Sequence, residues 1–241
     1  MCNRYRAVGR EELIRFAREE FGIEWDVPTP RYNIAPNQLA AIFVQEAAKP
    51  AVIPNARWNL IPFFETEPKP GILRTNARAE EVFGKPSYRD PLQKRRCLVP
   101  ADGFYEWEHL HGGRLKIPWA FELADKRPFA FAGLWEHGNE SRPPSFTILT
   151  TQPNALVARI HNRMPVMLSR EAAHQWIKPG PLTKETLAPF VVPFPPEQLR
   201  SYPVNPKLNS VREDSAAVAA PANPDDFAAD RQASSAQGEL F

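Results

Sequence analysis

Leu13, Phe16, Ala17 and Phe21 recur at three- and four-residue intervals, which gathers them on one helical face, and Gly22 supplies a stop; a helix is predicted over Arg10–Phe21. Beyond it the pattern shortens to alternation and brief apolar runs. Strands are predicted over 40–44, 56–60, 96–99, 104–108, 117–123, 129–135 and 146–150. Turn chemistry separates them: Ala101-Asp102-Gly103, His111-Gly112-Gly113, Asp125-Lys126-Arg127-Pro128 and Pro143-Pro144. A short helix is expected over 154–160, and Ser169 reads as the N-cap of a helix reaching Ile177. No internal repeat is visible. These elements imply one α+β domain around a twisted, mainly antiparallel sheet or partial barrel, with peripheral helices.

Composition changes that picture mainly at the C-terminus. The 27 prolines are spread along the 241 residues, which suits short strands and fixed turns, and 43% hydrophobic residues suffice for a substantial core. From about residue 215 Ala, Ser, Pro, Asp and Gln dominate, so the reading is a folded domain over 1–212 and a disordered acidic tail over 213–241. Residues 1–212 carry 29 basic against 22 acidic side chains, a net +7 within a chain of net +2. A basic body suits a polyanion such as nucleic acid, and equally many enzymes without one. No stretch approaches a membrane span of about 18 apolar residues, and the N-terminus lacks a signal peptide's apolar region, so a cytoplasmic protein is expected. A reducing compartment argues against a disulfide between the two cysteines, Cys2 and Cys97. Cys97 reads as a small buried strand residue.

Cys2 is the informative position, because a small second residue lets Met1 be removed, leaving a 1,2-aminothiol. Its amine and thiol have reference pKa values near 8 and 8.5, so both nucleophilic forms are accessible near neutral pH. An aldehyde condenses with such an amine to a Schiff base, and the thiol then closes a five-membered thiazolidine ring. The alternative is a cysteine at position two with no chemistry.

Three further segments bear on that choice. In Phe104-Tyr105-Glu106-Trp107-Glu108, Glu106 is a carboxylate bracketed by aromatic residues just past a turn, where desolvation favours proton transfer, or else an exposed edge-strand residue. His161, within Ile160-His161-Asn162-Arg163-Met164-Pro165, is a candidate acid or base or a structural histidine. In Arg74-Thr75-Asn76-Ala77-Arg78-Ala79-Glu80, a strand would point Asn76 and Arg78 the same way, toward a sugar oxygen and a phosphate.

Taken together, Cys2 followed by Arg4, Arg31-Tyr32-Asn33-Ile34-Ala35-Pro36, Trp58, Asn76-Ala77-Arg78-Ala79-Glu80, Ala101-Asp102-Gly103-Phe104-Tyr105-Glu106-Trp107 and Ile160-His161-Asn162-Arg163-Met164-Pro165 resemble the SOS-response-associated peptidase (SRAP) family of abasic-site processing proteins over residues 2 to about 212. Asn3 departs from a frequent glycine, and Asn59 from the family's Trp-Gly pair. The resemblance implies a covalent link from Cys2 to the ring-opened sugar of an abasic site in single-stranded DNA. It implies that Asn76 positions the N-terminal residue, that Glu106 and His161 move protons, and that Arg4, Pro36, Trp58 and Arg78 contact DNA. Trp58 reads either as a base-stacking surface or as a core residue.

Two other classes stay open: a peptidase with Cys2 as nucleophile, including one acting only on its own Met1, and a non-covalent single-strand binding module. No cofactor is expected, and no metal, since His109 and His111 stand beside a Gly-Gly turn without ligand spacing. A monomer is expected. At the chain end, Gln237-Gly238-Glu239-Leu240-Phe241 resembles the short peptides by which bacterial DNA-processing proteins dock on the replication sliding clamp, with Gln237, Leu240 and Phe241 as anchors.

Overall fold

The helix expected from the three- and four-residue spacing forms over Arg10–Phe21 (α1), ended by Gly22 at φ 64°, whose N–H turns back onto the last carbonyls. The computed structural model describes residues 2–26, 29–46, 49–110, 115–178, 180–222 and 227. The strands, in chain order, are β1 (Arg4–Ala7), β2 (Arg31–Ile34), β3 (Leu39–Glu46), β4 (Lys49–Trp58), β5 (Asn76–Arg78), β6 (Arg96–Ala101), β7 (Gly103–Leu110), β8 (Leu115–Leu123), β9 (Phe129–Glu136), β10 (Ser145–Thr151), β11 (Met164–Pro165), β12 (Met167–Leu168) and β13 (Leu199–Pro203). The other helices are α2 (Pro86–Lys94), α3 (Arg170–Trp176), α4 (Lys184–Leu187) and α5 (Ala216–Ala219). Ser169 caps α3 by accepting from the Ala172 N–H. The helix expected over 154–160 is a single 3-10 turn, Val157–Arg159.

One sheet runs β11-β10-β4-β3-β6-β9-β12, and a further β9–β10 pairing closes β10, β4, β3, β6 and β9 into a barrel. Most pairings are antiparallel; β4 and β5 both run parallel to β10. The wall is thin at Gly133, where a Cβ would lie 2.7 Å from Cys97 Sγ and 3.0 Å from Thr147 O. Cys97 is thus the small buried strand residue that the sequence suggests, and neither cysteine is in a disulfide.

The second sheet, β13-β8-β7-β1-β2, lies against the barrel. The chain passes from barrel to sheet at Ala101-Asp102-Gly103, joining β6 to β7. Phe104 of β7 stacks on Phe121 of β8 at 4.9 Å and meets Phe131 of the barrel at 6.2 Å, so the core fills the space between the two layers. Asp102 fixes the crossing: its carboxylate accepts from the Gly9 N–H at 2.9 Å and from Arg6 Nε at 2.9 Å. Gly103 is required there, because a Cβ would lie 2.8 Å from Arg6 Nε.

Arg6 makes β1 hard to see in sequence. It is a charged residue at a buried position, balanced by Asp102 and by Glu122, which also binds Arg200 and the Tyr202 hydroxyl. The folded body also extends past residue 212, contrary to the expected tail boundary. Asp214 accepts from the Asn33 N–H at 2.9 Å and pairs with Arg31, and Val218 and Phe227 are buried. Small Ala and Val side chains suit this close packing, which the composition alone masks. Gln237, Leu240 and Phe241 lie outside the described residues. No helix among the described residues is long and apolar enough to cross a membrane.

Candidate functional site

β1 enters the second sheet beside β7, with Arg4 opposite Tyr105 and Tyr5 opposite Phe104. Cys2, two residues before β1 begins, therefore lies near Glu106, whose charge acts on the thiol. The Cys2 side chain is fully buried, with Sγ 3.5 Å from the Arg4 carbonyl oxygen. From the barrel comes β5, held parallel to β10 with Asn76 opposite Ile148. Asn76 Nδ2 donates to the Cys2 carbonyl at 2.8 Å and reaches Asn3 Oδ1 at 3.2 Å. The amide thus clamps the N-terminal segment from the barrel side. Asn3, where the family often has glycine, takes part in that clamp, and Thr75 Oγ1 lies 3.5 Å from its Oδ1.

Glu106 is 3% exposed, in a central strand rather than at an edge, so the exposed alternative is excluded. Burial pushes its carboxyl up to about 7, offset in part by the positive chain terminus. Burial also drives the Cys2 thiol far above its ordinary value, with the Glu106 charge acting in the same direction. At neutral pH the thiol is therefore protonated, while Glu106 is poised to exchange a proton.

His161 stands just before β11, in the segment that fills the gap where β9 and β10 diverge, and its Nδ1 lies 3.9 Å from Glu106 Oε1. The Arg163 N–H lies 3.0 Å and the Arg163 carbonyl oxygen 3.2 Å from that nitrogen, the first suiting a neutral ring with its proton on Nε2 and the second one with its proton on Nδ1. Burial lowers the His161 pKa, so the neutral form dominates at pH 7. Arg163 in turn forms a two-pronged pair with Glu80 at 2.8 and 3.0 Å and donates to the Thr150 carbonyl at 2.6 Å. This pair ties the segment after Asn76 to the segment carrying His161. Neither Glu80 nor Arg163 was singled out as a site residue in sequence; their presence inside two motifs was the available signal.

The four residues that the resemblance implies for DNA contact separate. Arg78 is exposed, with Nη1 3.2 Å from Glu81, so its charge faces solvent beside Asn76. Pro36 is half-buried. Arg4 is committed inward, donating to Asn33 Oδ1 and Leu208 O, both at 2.7 Å, with its guanidinium over Trp107. Trp58 is a core residue: its indole is fully buried, stacked on Phe146, with its N–H on Thr75 O at 2.8 Å. That corrects the base-stacking reading. Burial of so large a side chain outweighs exposure for one contact, and Trp58 acts by fixing Thr75 next to Asn76.

Exposed apolar side chains lie instead on the connection between β4 and β5, where Phe63 is 67% and Leu73 60% exposed, with Phe64 and Ile72 beside them. A Phe-Phe pair inside a Pro-rich turn was the sequence signal for this surface. Among the described residues no group of three or more His, Cys, Asp or Glu could hold a metal ion.

The SOS response associated peptidase (SRAP) family matches residues 1–211. Abasic site processing protein YoqW of Bacillus subtilis (strain 168) is 36% identical over 223 residues, covering 89% of this chain and 97% of that protein. Abasic site processing protein HMCES of Gallus gallus is 30% identical over 217 residues, covering 77% of this chain and 64% of that protein. A crystal structure of a protein from Bacteroides thetaiotaomicron superposes with a TM-score of 0.77 at 26% identity, covering 92% of this chain and all of that one. The chain belongs to the SOS response associated peptidase (SRAP) family.

Proposed function

We propose that this chain processes abasic sites in DNA, as its relatives' names state for them, and that it does so by a covalent link through Cys2 once Met1 is removed. The observation that carries the reading is the convergence of Cys2, Asn76, Glu106 and His161 from two separate sheets. Protonated Glu106 gives a proton to the ring oxygen of the abasic sugar as water takes the proton of its C1′ hydroxyl, breaking the C1′–O4′ bond and freeing an aldehyde. The Glu106 carboxylate then takes a proton from the Cys2 ammonium.

The amine attacks C1′, and the aldehyde oxygen leaves as water, aided by the His161 Nε2–H, to give an imine. The buried, protonated thiol is a poor first nucleophile, which makes the amine the initial attacker. The S–H then adds across the C=N bond: the thiol proton passes to the imine nitrogen, the positive charge so formed draws in the thiolate left behind, sulfur joins C1′, and a thiazolidine results. No oxidant or reductant is needed. Asn76 holds the Cys2 carbonyl, so both nucleophiles meet one carbon without a search. Arg78 and the Phe63–Phe64 surface contribute phosphate and base contacts.

Covalent capture uses both the amine and the thiol of Cys2, whereas a peptidase role uses one nucleophile and a non-covalent binding role uses neither. Denaturing electrophoresis after incubation with abasic single-stranded DNA distinguishes the three, since only covalent capture leaves a shifted band. We further propose that the C-terminal Gln237, Leu240 and Phe241 dock on a sliding clamp, keeping the domain near replicating DNA. Anisotropy of the labelled tail peptide against the clamp tests this; binding equal to that of a Leu240→Ala, Phe241→Ala peptide overturns it.

A further inference from the structure

Away from Cys2, a cavity of about 760 Å³ opens between α2, the β9–β10 connection and the exposed Phe63 and Phe64. Its two acids are already neutralised: Asp90 pairs with Lys94 and Arg95, and Glu136 pairs with Arg95. Its other two arginines are not. Neither Arg89 nor Arg142 meets a carboxylate among the described residues, and Arg142 Nε and Nη1 are shielded from solvent with no acceptor there. A guanidinium so placed is unusual, because shielded donors are normally satisfied.

The connection that carries Arg142 is rigid. Asn139 Oδ1 accepts from the Ser141 and Arg142 N–H groups at 3.0 Å each, and a Cβ on Gly138 would lie 2.4 Å from Arg142 O. The arginine is therefore presented by a fixed turn. The same connection leads into Ser145, whose hydroxyl accepts from the Ile61 N–H at 3.0 Å, two residues before Phe63. From Ser145, β10 runs to Ile148, which lies opposite Asn76. Three strand residues span about 10 Å, or roughly three nucleotides at the 3.4 Å rise of a stacked strand.

We infer that this cavity is a phosphate subsite for DNA flanking the lesion, in which Arg142, with Arg89 beside it, holds a phosphodiester and Phe63 and Phe64 form the apolar wall. It rests on the abasic-DNA reading and adds a contact at least about three nucleotides from the reacting sugar. The fork geometry of a guanidinium matches two phosphate oxygens.

The test uses the full-length chain and its Arg142→Ala and Arg142→Lys variants, with melting temperature checked for each. Anisotropy against an undamaged single strand of about 15 nucleotides is recorded over a range of salt. Crosslinking of an abasic trinucleotide is recorded separately. Arg142→Ala is expected to weaken binding of the long strand about five- to tenfold and to lower the slope of log affinity against log salt by about 0.7, with Arg142→Lys restoring most of the slope. Trinucleotide crosslinking is expected to stay unchanged. Unchanged long-strand affinity and slope overturn the subsite, as does an equal loss on the trinucleotide. Absence of any crosslink from the unaltered protein counts against covalent capture alone, since the undamaged-strand titration still reads the phosphate contact.

Discussion

Asn76 Nδ2 sits 2.8 Å from the Cys2 carbonyl oxygen, a contact between residues 74 positions apart that joins the barrel to the second sheet at the proposed reaction centre. Asn76 is buried, and its backbone carbonyl receives the Tyr88 hydroxyl at 3.5 Å, so the main chain that carries the amide is held from behind. Replacing it changes where Cys2 points rather than what Cys2 is. Asn76→Ala is expected to slow single-turnover crosslinking by about 10²-fold, the scale on which small misplacements act. Intact-mass spectrometry should still show the same adduct at long times; an unchanged rate contradicts the clamp.

Glu106 links catalysis to pH. Burial raises its pKa to about 7, so the protonated carboxyl that opens the sugar ring is depleted as pH rises through 7. The Glu106-dependent limb of the crosslinking rate is expected to fall through that region, and Glu106→Gln should remove the limb and slow the reaction by about 10²-fold or more. His161→Ala is expected to slow it to a similar degree, with strand affinity nearly unchanged. A pH profile that is the same with and without Glu106 contradicts its role.

The same displacement carries a stability cost of known sign. A carboxyl whose folded pKa lies above its unfolded value near 4.3 favours the folded state at low pH, and that advantage is lost as pH rises through about 7. Glu106→Gln is therefore expected to raise unfolding free energy by on the order of 2 kcal/mol at pH 8 and to leave it nearly unchanged at pH 4. Urea titrations at the two pH values read this directly. Lower stability of the variant at pH 8 contradicts the burial argument.

Glu122 behaves oppositely. Burial alone would raise its pKa, yet Arg6, Arg200 and Tyr202 together hold it below the usual carboxylate range. Its contribution is complete above the unfolded value near 4.3 and fades as pH falls through the lower folded value. Glu122→Gln is expected to destabilise the protein by about 3 kcal/mol at pH 7, because Arg6 then stays buried with only Asp102. The gap should narrow as both proteins are titrated below pH 4, and a gap that does not narrow contradicts the assignment.

These contacts also show which parts of the molecule were readable in sequence. α1 appeared at its observed bounds, because an amphipathic spacing and a terminal glycine are both local signals. β6 and β7 are legible through the Ala101-Asp102-Gly103 turn, whereas the burial of Glu106 is not, since aromatic neighbours on one strand suit an exposed edge equally well and only the pairing of β7 between β8 and β1 decides it. β1 was not, because Arg6 occupies a core position that only Asp102 and Glu122, distant in sequence, make tolerable. β4 was read only at its end, since Pro50 and Pro54 argue against a strand, and α2 was hidden by Pro86 and Pro91. The role of Trp58 was open because hydrophobicity alone does not separate a core indole from an exposed one. The packing of segment 213–222 is not legible in sequence, since Ala and Ser carry little pattern, while its anchor, Asp214 on Arg31 and the Asn33 N–H, is a tertiary contact.

The claim on which all of this turns is that Cys2 forms the link with both its nucleophiles, and intact mass of the complex with an abasic single strand tests it most directly. The account predicts a species equal to the chain lacking Met1 plus the DNA minus one water, stable to heat and denaturant, and absent for Cys2→Ala. Cys2→Ala should still bind undamaged single strands within a few-fold of the unaltered protein, since phosphate contacts dominate that affinity. A heat-stable adduct of the same mass gain from Cys2→Ala, or a crosslink formed by a chain that retains Met1, would contradict it.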